Sequence, residues 1–381
     1  MTEWCETTLD HLVRLQRGHD LPTGQRRPGI VPVVGAAGPS GLHDTAIAKA
    51  PGVVVGRAGA SMGHATYCDV DFWPLNTSLY VTDFLGNDPR FVYYLLGQID
   101  FSGFNSGAAQ PMLNRNYIKQ IPIIIPSLHE QREISATLGA LDDKIAINER
   151  IAKTARDLGR SQGERMIHSH AGEVGLLRDY VSVIKGHSYK SSDLAEGLAY
   201  LVTLKCIDRT GVFQHRGLKP FVGSAKESQV VKHGEVVVAH TDLTQSADVL
   251  GRAARVVEPR DGKTLIASLD LAVVRPKHLL TPEYLEALLG MRDFREHSSA
   301  YSNGTTVLHL SGRAIPEFTF KVPDAAAVAN VTAEAAKFFD TAVQAQRESW
   351  VLSELRDTLL PQLMSGRLRV RDAKKIVEDM T

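Results

Sequence analysis

The chain has 381 residues, 43% of them hydrophobic and 23% charged, too long for one ordinary core and suited to two folded domains with connectors. Lys and Arg balance Asp and Glu at 43 each, so no overall basic field marks a nucleic-acid partner, and any phosphate contacts would come from local clusters. Three scattered cysteines, Cys5, Cys68 and Cys206, with no Cys-x-x-Cys pair, exclude a disulfide frame and a zinc ribbon and read as reduced thiols.

The acidic opening, Met1-Thr2-Glu3, is unlike a signal peptide. No apolar run approaches the roughly 20 residues of a membrane span, so a cytoplasmic location is expected. Short β-rich runs follow at 30–34, 52–56 and 78–82. Pro32 inside the first demotes it to an edge strand. Turn clusters at 37–41 and 59–63 separate these runs, and a short helix at 88–98 precedes a polar loop. Ile121, Ile123 and Ile125 then alternate as a strand and stop at Pro126.

Ser127-Leu128-His129-Glu130 is a capping box that starts a helix. Ile134, Leu138, Leu141, Ile145, Asn148, Ala152 and Ala155 step by fours and threes, the seam of a coiled coil. Asn148 is either a buried seam asparagine that fixes register or, if Ile147 and Ile151 turn inward, a solvent residue. The second half begins near Gly172 with expected strands at 200–204, 235–239 and 271–274 and a helix at 281–295. After Pro323, Asp324 offers an N-cap, and Val331, Ala335, Phe338, Ala342, Ala345, Ser349 and Leu352 repeat the seam. This helix is expected to break near Pro361 or Gly366, leaving a basic tail of Arg367, Arg369, Arg371, Lys374 and Lys375.

The two halves repeat. At an offset of 197, Gly107 falls on Gly304, Leu113 on Leu310, Ile118 on Ile315 and Pro126 on Pro323. The module starts match at 168 instead, Arg17-Gly18-His19 on Lys185-Gly186-His187, so the second module is longer by 29 residues, placed between Leu204 and Ser268. The expected architecture is α+β with a pseudo-two-fold internal repeat. A β-rich module (1–126), a spacer helix (127–171), a second module (172–323) and a second helix with a basic tail (324–381) follow in order. Each helix runs about 40 residues, or about 60 Å, and the matching seams should pack together in a direction the sequence leaves open.

There is no Gly-x-x-x-x-Gly-Lys-Ser/Thr loop, no Gly-x-Ser-x-Gly elbow and no His-Glu-x-x-His pair. The glycine-rich stretch 56–63 lacks the lysine of a nucleotide cradle, and His168-Ser169-His170 reads as solvated linker. No catalytic residue and no metal site are expected. The loops instead carry the small polar and basic residues that hold phosphates or read base edges. In the first module these are Gly18, His19, Ser40, Arg57, Ser61, Gln110, Asn114 and Arg115. In the second they are Lys185, Ser188, Tyr189, Lys190, His240, Thr241, Asn303 and Thr305. Ordinary turn chemistry is the competing explanation for each.

Three stretches resemble the specificity subunit of type I restriction-modification systems: Thr7 to Val13 with Gly18; Gly107-Ala108-Ala109-Gln110-Pro111 through Pro126; and His129-Glu130-Gln131-Arg132-Glu133-Ile134 through Ile145 and Asn148. The second copy departs from that pattern, with Ala325-Ala326-Ala327 in place of the His-Glu-Gln run and Asn303-Gly304-Thr305-Thr306 in place of the Gly-x-x-Gln turn. The resemblance implies two target-recognition domains that each read half of a split, asymmetric double-stranded DNA target. The spacer helices would set the unread gap, roughly one helical turn or about 34 Å. It further implies partner methyltransferase subunits, two in number, and motor-nuclease subunits, which would bind S-adenosylmethionine, ATP and Mg while this chain binds no cofactor. Two rivals are a non-catalytic scaffold whose β-rich modules bind proteins or glycans, and a fused nuclease or methyltransferase.

Overall fold

The structure is a computed structural model and describes residues 4–105, 111–242, 247–304 and 307–380. The chain divides into two compact units, Met1–Ala146 with Ser349–Thr381, and Ile147–Glu348.

The first unit carries β1 (Cys5–Thr8), α1 (Leu9–Leu12), β2 (Arg14–Arg17), β3 (Val31–Gly35), β4 (Gly38–His43), β5 (Gly52–Gly56), β6 (Ala65–Cys68), β7 (Trp73–Pro74) and β8 (Ser78–Asp83). After them come α2 (Pro89–Gln98), α3 (Arg115–Ile118), β9 (Pro122–Ile125) and the long α4 (Leu128–Ser169). Its sheets are ordered β2-β8-β5-β6 and β4-β3-β7, and β1 pairs with β9. Strand β5, Gly-Val-Val-Val-Gly, is buried throughout, as an interior strand of β-branched residues should be.

The second unit runs β10 (Val174–Leu176), β11 (Val181–Lys185), β12 (Ala199–Val202), β13 (Leu218–Phe221), β14 (Val230–Val231), β15 (Val236–Ala239), β16 (Thr241–Asp242), β17 (Ala253–Arg255), β18 (Thr264–Ala267) and β19 (Leu271–Pro276). It continues with α5 (Pro282–Gly290), α6 (Arg292–Ala300), β20 (Ser302–Asn303), β21 (Leu308–Leu310), β22 (Thr319–Lys321) and α7 (Ala325–Met364), and α8 (Val370–Met380) ends the chain. Sheet β11-β19-β15-β17 repeats β2-β8-β5-β6, and β10-β22 repeats β1-β9. In both units a central strand, β3 or β12, has one antiparallel and one parallel neighbour.

Strand pairing locates the extra residues of the second unit. Val34 corresponds to Val202, Val54 to Val237, Pro74 to Ala267 and Leu113 to Leu310. The offset therefore grows from 168 through 183 and 193 to 197, so most of the insertion lies between β12 and β18, and the last four residues lie beyond β19.

Both long helices are divided between the units, because each half is buried in the core beside it. Ile134, Leu138 and Leu141 of α4 share the first core with Leu352, Leu355, Leu359 and Leu363 of α7. Ile167 of α4 with Val328 and Val331 of α7 belong to the second. A fully buried aliphatic side chain contributes about 1.5–3 kcal/mol relative to an exposed one.

The helices pair antiparallel within each unit. In the first, Arg356 donates to Asp142 (2.8 Å). In the second, Arg156 donates to Gln346 (2.8 Å), Ala152 and Ala155 pack with Ala342 and Ala345, and Gly159 faces Phe338, where a Cβ would lie 2.9 Å from that of Phe338. Ile145 and Phe338 are partly buried in these seams, Ala335 and Ser349 are buried, and Asn148 is 1% exposed while Ile147 and Ile151 are 46% and 42% exposed.

Four expectations need correction. Strand β3 is central, not an edge: Pro32 lies opposite Leu42, and the parallel partner β7 pairs only at Val33 and Val34, so the missing N–H of Pro32 interrupts no ladder on that side. The cluster at 37–41 is mostly strand β4, which Gly38 (φ +95°) opens. The helix expected at 281–295 breaks at Met291, whose backbone is extended (φ −65°, ψ 156°). The basic tail is not free: α7 runs through Pro361 to Met364, Gly366 (φ +69°) turns the chain, and α8 packs Val370 and Ala373 on the first core while Lys374 pairs with Glu133 (2.5 Å).

Candidate nucleic-acid interface

Backbone bonds bring three loops of the first unit onto one frame. The N–H of Gly18 donates to Ser78 (3.0 Å), that of His19 to Pro74 (2.8 Å), and that of Asn76 back to His19 (3.0 Å). The N–H of Arg57 reaches Thr77 (2.9 Å), and Leu113 donates to the carbonyl of Arg57 (2.8 Å). The second unit repeats this frame bond for bond. Gly186 donates to Leu271 (3.0 Å), His187 to Ala267 (2.7 Å), Leu269 to His187 (2.8 Å), His240 to Asp270 (2.7 Å), and Leu310 to His240 (2.8 Å). Arg57 and His240 are thus structural equivalents, as are Thr77 and Asp270.

Close packing requires glycine at position 18. It is buried, and a Cβ would lie 2.1 Å from the Leu75 carbonyl oxygen; at Gly186 the same atom would lie 2.0 Å from that of Ser268. Around Gly18, His19 is exposed, with its Nε2 3.4 Å from the Tyr80 hydroxyl and its ring beside Trp73. Arg57 is half-buried and among the described residues reaches the Asn76 carbonyl (3.4 Å) and the Met112 sulfur (3.2 Å). Burial and the neighbouring Arg17 both lower its pKa. Exposed Arg115 touches the Leu15 carbonyl (3.4 Å), and half-buried Ser61 sits on the turn after β5. Asn114 is the N-cap of α3, its side chain accepting from the Asn116 N–H (3.0 Å). Ser40 lies outside the frame, on β4, with Oγ donating to Val33 (3.2 Å).

In the second unit Lys185, Ser188 and Lys190 are exposed, and the Lys190 N–H bonds Asp193 (2.7 Å). Tyr189 is half-buried and packs on the cluster of Leu201, Phe221 and Ile266. His240 is held neutral: burial, helped by Lys185, pushes its pKa down to about 4. Thr241 is buried and donates to Asp270 (3.0 Å), while Asn303 is exposed on β20. Gln110 and Thr305, with most of their loops at 106–110 and 305–306, lie outside the described residues, as does the part of the 240–244 loop beyond Asp242.

Sequence reasoning missed Asn76, Thr77, Asp270 and Gln229. Asn76 donates to Asp20, and Gln229 bonds both the His187 ring (3.3 Å) and the Lys185 carbonyl (3.3 Å). The signal was the turn before β8 and β19, where Thr77 and Asp270 correspond at an offset of 193 rather than 168 or 197. Arg17, Arg57 and Arg115 on one frame, and Lys185 and Lys190 on the other, are cationic donors of the kind that meet phosphates or guanine edges. Among the described residues no group of three or more His, Cys, Asp or Glu is placed to hold a metal, and no helix is long and apolar enough to cross a membrane. Cys5, Cys68 and Cys206 are free thiols.

Residues 1–155 match the family model of the type I restriction modification DNA specificity domain. The match ends within α4, before the second copy with its altered motifs. The type I restriction enzyme MjaIX specificity subunit of Methanocaldococcus jannaschii is 22% identical over 337 residues, covering 78% of this chain and 74% of that protein. The solved type I restriction-modification system S subunit from M. genitalium superposes with a TM-score of 0.61 at 16% identity, covering 95% of this chain and 96% of the other, a likeness of fold. The likeness to the type I specificity domain is thus carried by the first 155 residues, and the fold of that solved S subunit extends along nearly the whole chain.

Proposed function

We propose that the chain selects the DNA sequence on which a type I restriction-modification complex acts, each unit reading one half of a bipartite, asymmetric duplex target. The observation that carries this is the duplicated backbone frame with unlike side chains on it. Arg57 stands where His240 does, Asn76 where Leu269 does, and Thr77 where Asp270 does. A shared scaffold carrying different donors and acceptors suits two different half-sites, because base edges are discriminated by the pattern of hydrogen-bonding groups offered to them. Phosphate contacts fall to the local cations Arg17, Arg57, Arg115, Lys185 and Lys190, which reconciles the role with a formal net charge of zero.

On this reading the chain is non-catalytic and acts in the cytoplasm. It directs two methyltransferase subunits and the motor-nuclease subunits, which bind S-adenosylmethionine, ATP and Mg. A salt series on the assembled complex tests the reading against a protein- or glycan-binding scaffold. The logarithm of the DNA-binding constant is expected to fall linearly with the logarithm of salt concentration, with a slope set by the phosphates neutralised. No measurable duplex binding at low salt would overturn it.

A further inference from the structure

The second unit contains a small cavity far in character from the loop frame. It lies where the part of α4 beyond Ile147 meets α5, β17 and the first part of α7, and its volume is about 20 Å³. That exceeds the roughly 10–15 Å³ that one water-sized occupant requires. Three arginines line it: Arg156 and Arg160, one turn apart on α4, and Arg255 from β17.

Arg255 is fully engaged. It donates to Glu286 (2.5 Å), Glu283 (3.0 Å) and the Ala335 carbonyl (3.2 Å), and its guanidinium lies 3.6 Å from the centre of the Phe339 ring. The other two are not. Arg156 is 7% exposed; its Nη2 donates to Gln346 (2.8 Å), but its buried Nη1 meets no acceptor among the described residues. Arg160 donates to the carbonyls of Thr210 and Gly211, and its buried Nε likewise has no acceptor among the described residues.

Ion pairing is uneven as well. Glu286, the carboxylate that lines the cavity, and Glu283 beside it are both bonded to Arg255, Asp208 acts on Arg156 only at longer range, and neither Arg156 nor Arg160 forms an ion pair among the described residues. Arginine keeps its proton in proteins, so their charge has to be met where it stands. Burial pushes Arg156 down to about 10, and Arg160 and Arg255 add to the push against the pull of Glu286 and Asp208. A water molecule would accept the spare N–H groups but would leave the charge unmatched.

We propose that this cavity is a monovalent halide site, occupied by chloride, with Arg156 Nη1 and Arg160 Nε as donors. The ion would join α4 to the β17–α5–α7 wall and make the stability of the second unit depend on chloride itself, beyond general ionic strength. The inference concerns the second unit alone and holds or fails independently of the DNA-reading role.

Crystals of the full chain soaked in bromide test it directly. An anomalous peak within hydrogen-bonding distance of Arg156 Nη1 and Arg160 Nε is the expected result. A cavity that is empty or holds water alone overturns the proposal. In solution, replacing gluconate by chloride at constant ionic strength should raise the melting temperature by about 3 °C once chloride well exceeds its dissociation constant. Arg156→Met should remove that ion-specific shift, and a shift of equal size in the variant would also overturn the proposal. Should Arg156→Met fail to fold, the bromide soak of the unaltered chain still decides the matter.

Discussion

Replacing Arg57 by Ala should weaken recognition of one half-site while leaving the fold intact. The backbone N–H and C=O of Arg57 hold the frame through Thr77 (2.9 Å) and Leu113 (2.8 Å), and alanine keeps both bonds. The side chain forms no ion pair among the described residues, touches a carbonyl at 3.4 Å and a sulfur at 3.2 Å, and stands near the like-charged Arg17. Its loss should therefore change stability by no more than about 0.5 kcal/mol, the usual range for a substitution away from any packed or buried network. If Arg57 reads a guanine edge, the variant should lose about 1–3 kcal/mol of discrimination, roughly five- to 150-fold, at one base pair. If it meets a phosphate instead, affinity should fall evenly across sequences and the salt slope should drop by about one. Competition binding of the assembled complex, with oligonucleotides scrambled in either half-site, separates these outcomes, and a thermal melt of the variant checks the fold. Equal loss of discrimination in both half-sites, or a melt lowered by several degrees, would refute the reasoning.

Leu138→Ala, at a position 0% exposed in the first core, should cost about 2–5 kcal/mol and lower the urea midpoint without changing the slope; an unchanged midpoint would remove α4 from that core. Gly18→Ala and Gly186→Ala should each destabilise by about 1–3 kcal/mol, since a Cβ would sit 2.1 Å and 2.0 Å from a backbone oxygen that cannot swing away; melting curves that match the unaltered chain would contradict this. His240 has a folded pKa of about 4 against an ordinary 6.5, so the unfolded chain binds the extra proton first, and stability should fall as pH drops from 6.5 toward 4. His215 and His233 are also lowered by burial, so the share due to His240 is the part of the pH dependence that His240→Asn removes. No difference between the variant and the parent across that window would contradict the assignment.

Periodicity carried much of the architecture. The four-three steps from Ile134 to Ala155 and from Val331 to Leu352 mark residues that are buried or partly buried, because a seam repeats wherever one helix face is covered. The direction of pairing was not legible, since equal seams fit either sense. It is set by contacts such as Asp142 with Arg356, far apart in sequence. Local composition misled where tertiary pairing overrode it: glycines and a proline at 37–41 read as a turn, yet the segment pairs with β3. In the C-terminal segment the basic residues drew the eye from Val370, Ala373 and Val377, whose helical spacing was the available signal for α8. On the candidate interface, loop chemistry singled out segments that the fold brings onto one frame in each unit, but could not separate exposed side chains from scaffolding. Gly18 is tightly packed, Asn114 caps a helix and Tyr189 is half-buried against an apolar cluster, while Asn76 and Asp270 surfaced only through the frame.

Single-molecule mapping of DNA methylation in cells with and without this chain addresses the two-reader role most directly. The expected result is one asymmetric motif, two unlike half-sites around an unread gap, that vanishes when the chain is deleted and returns when it is restored. A contiguous or palindromic motif, or a methylation pattern unchanged by the deletion, would contradict it.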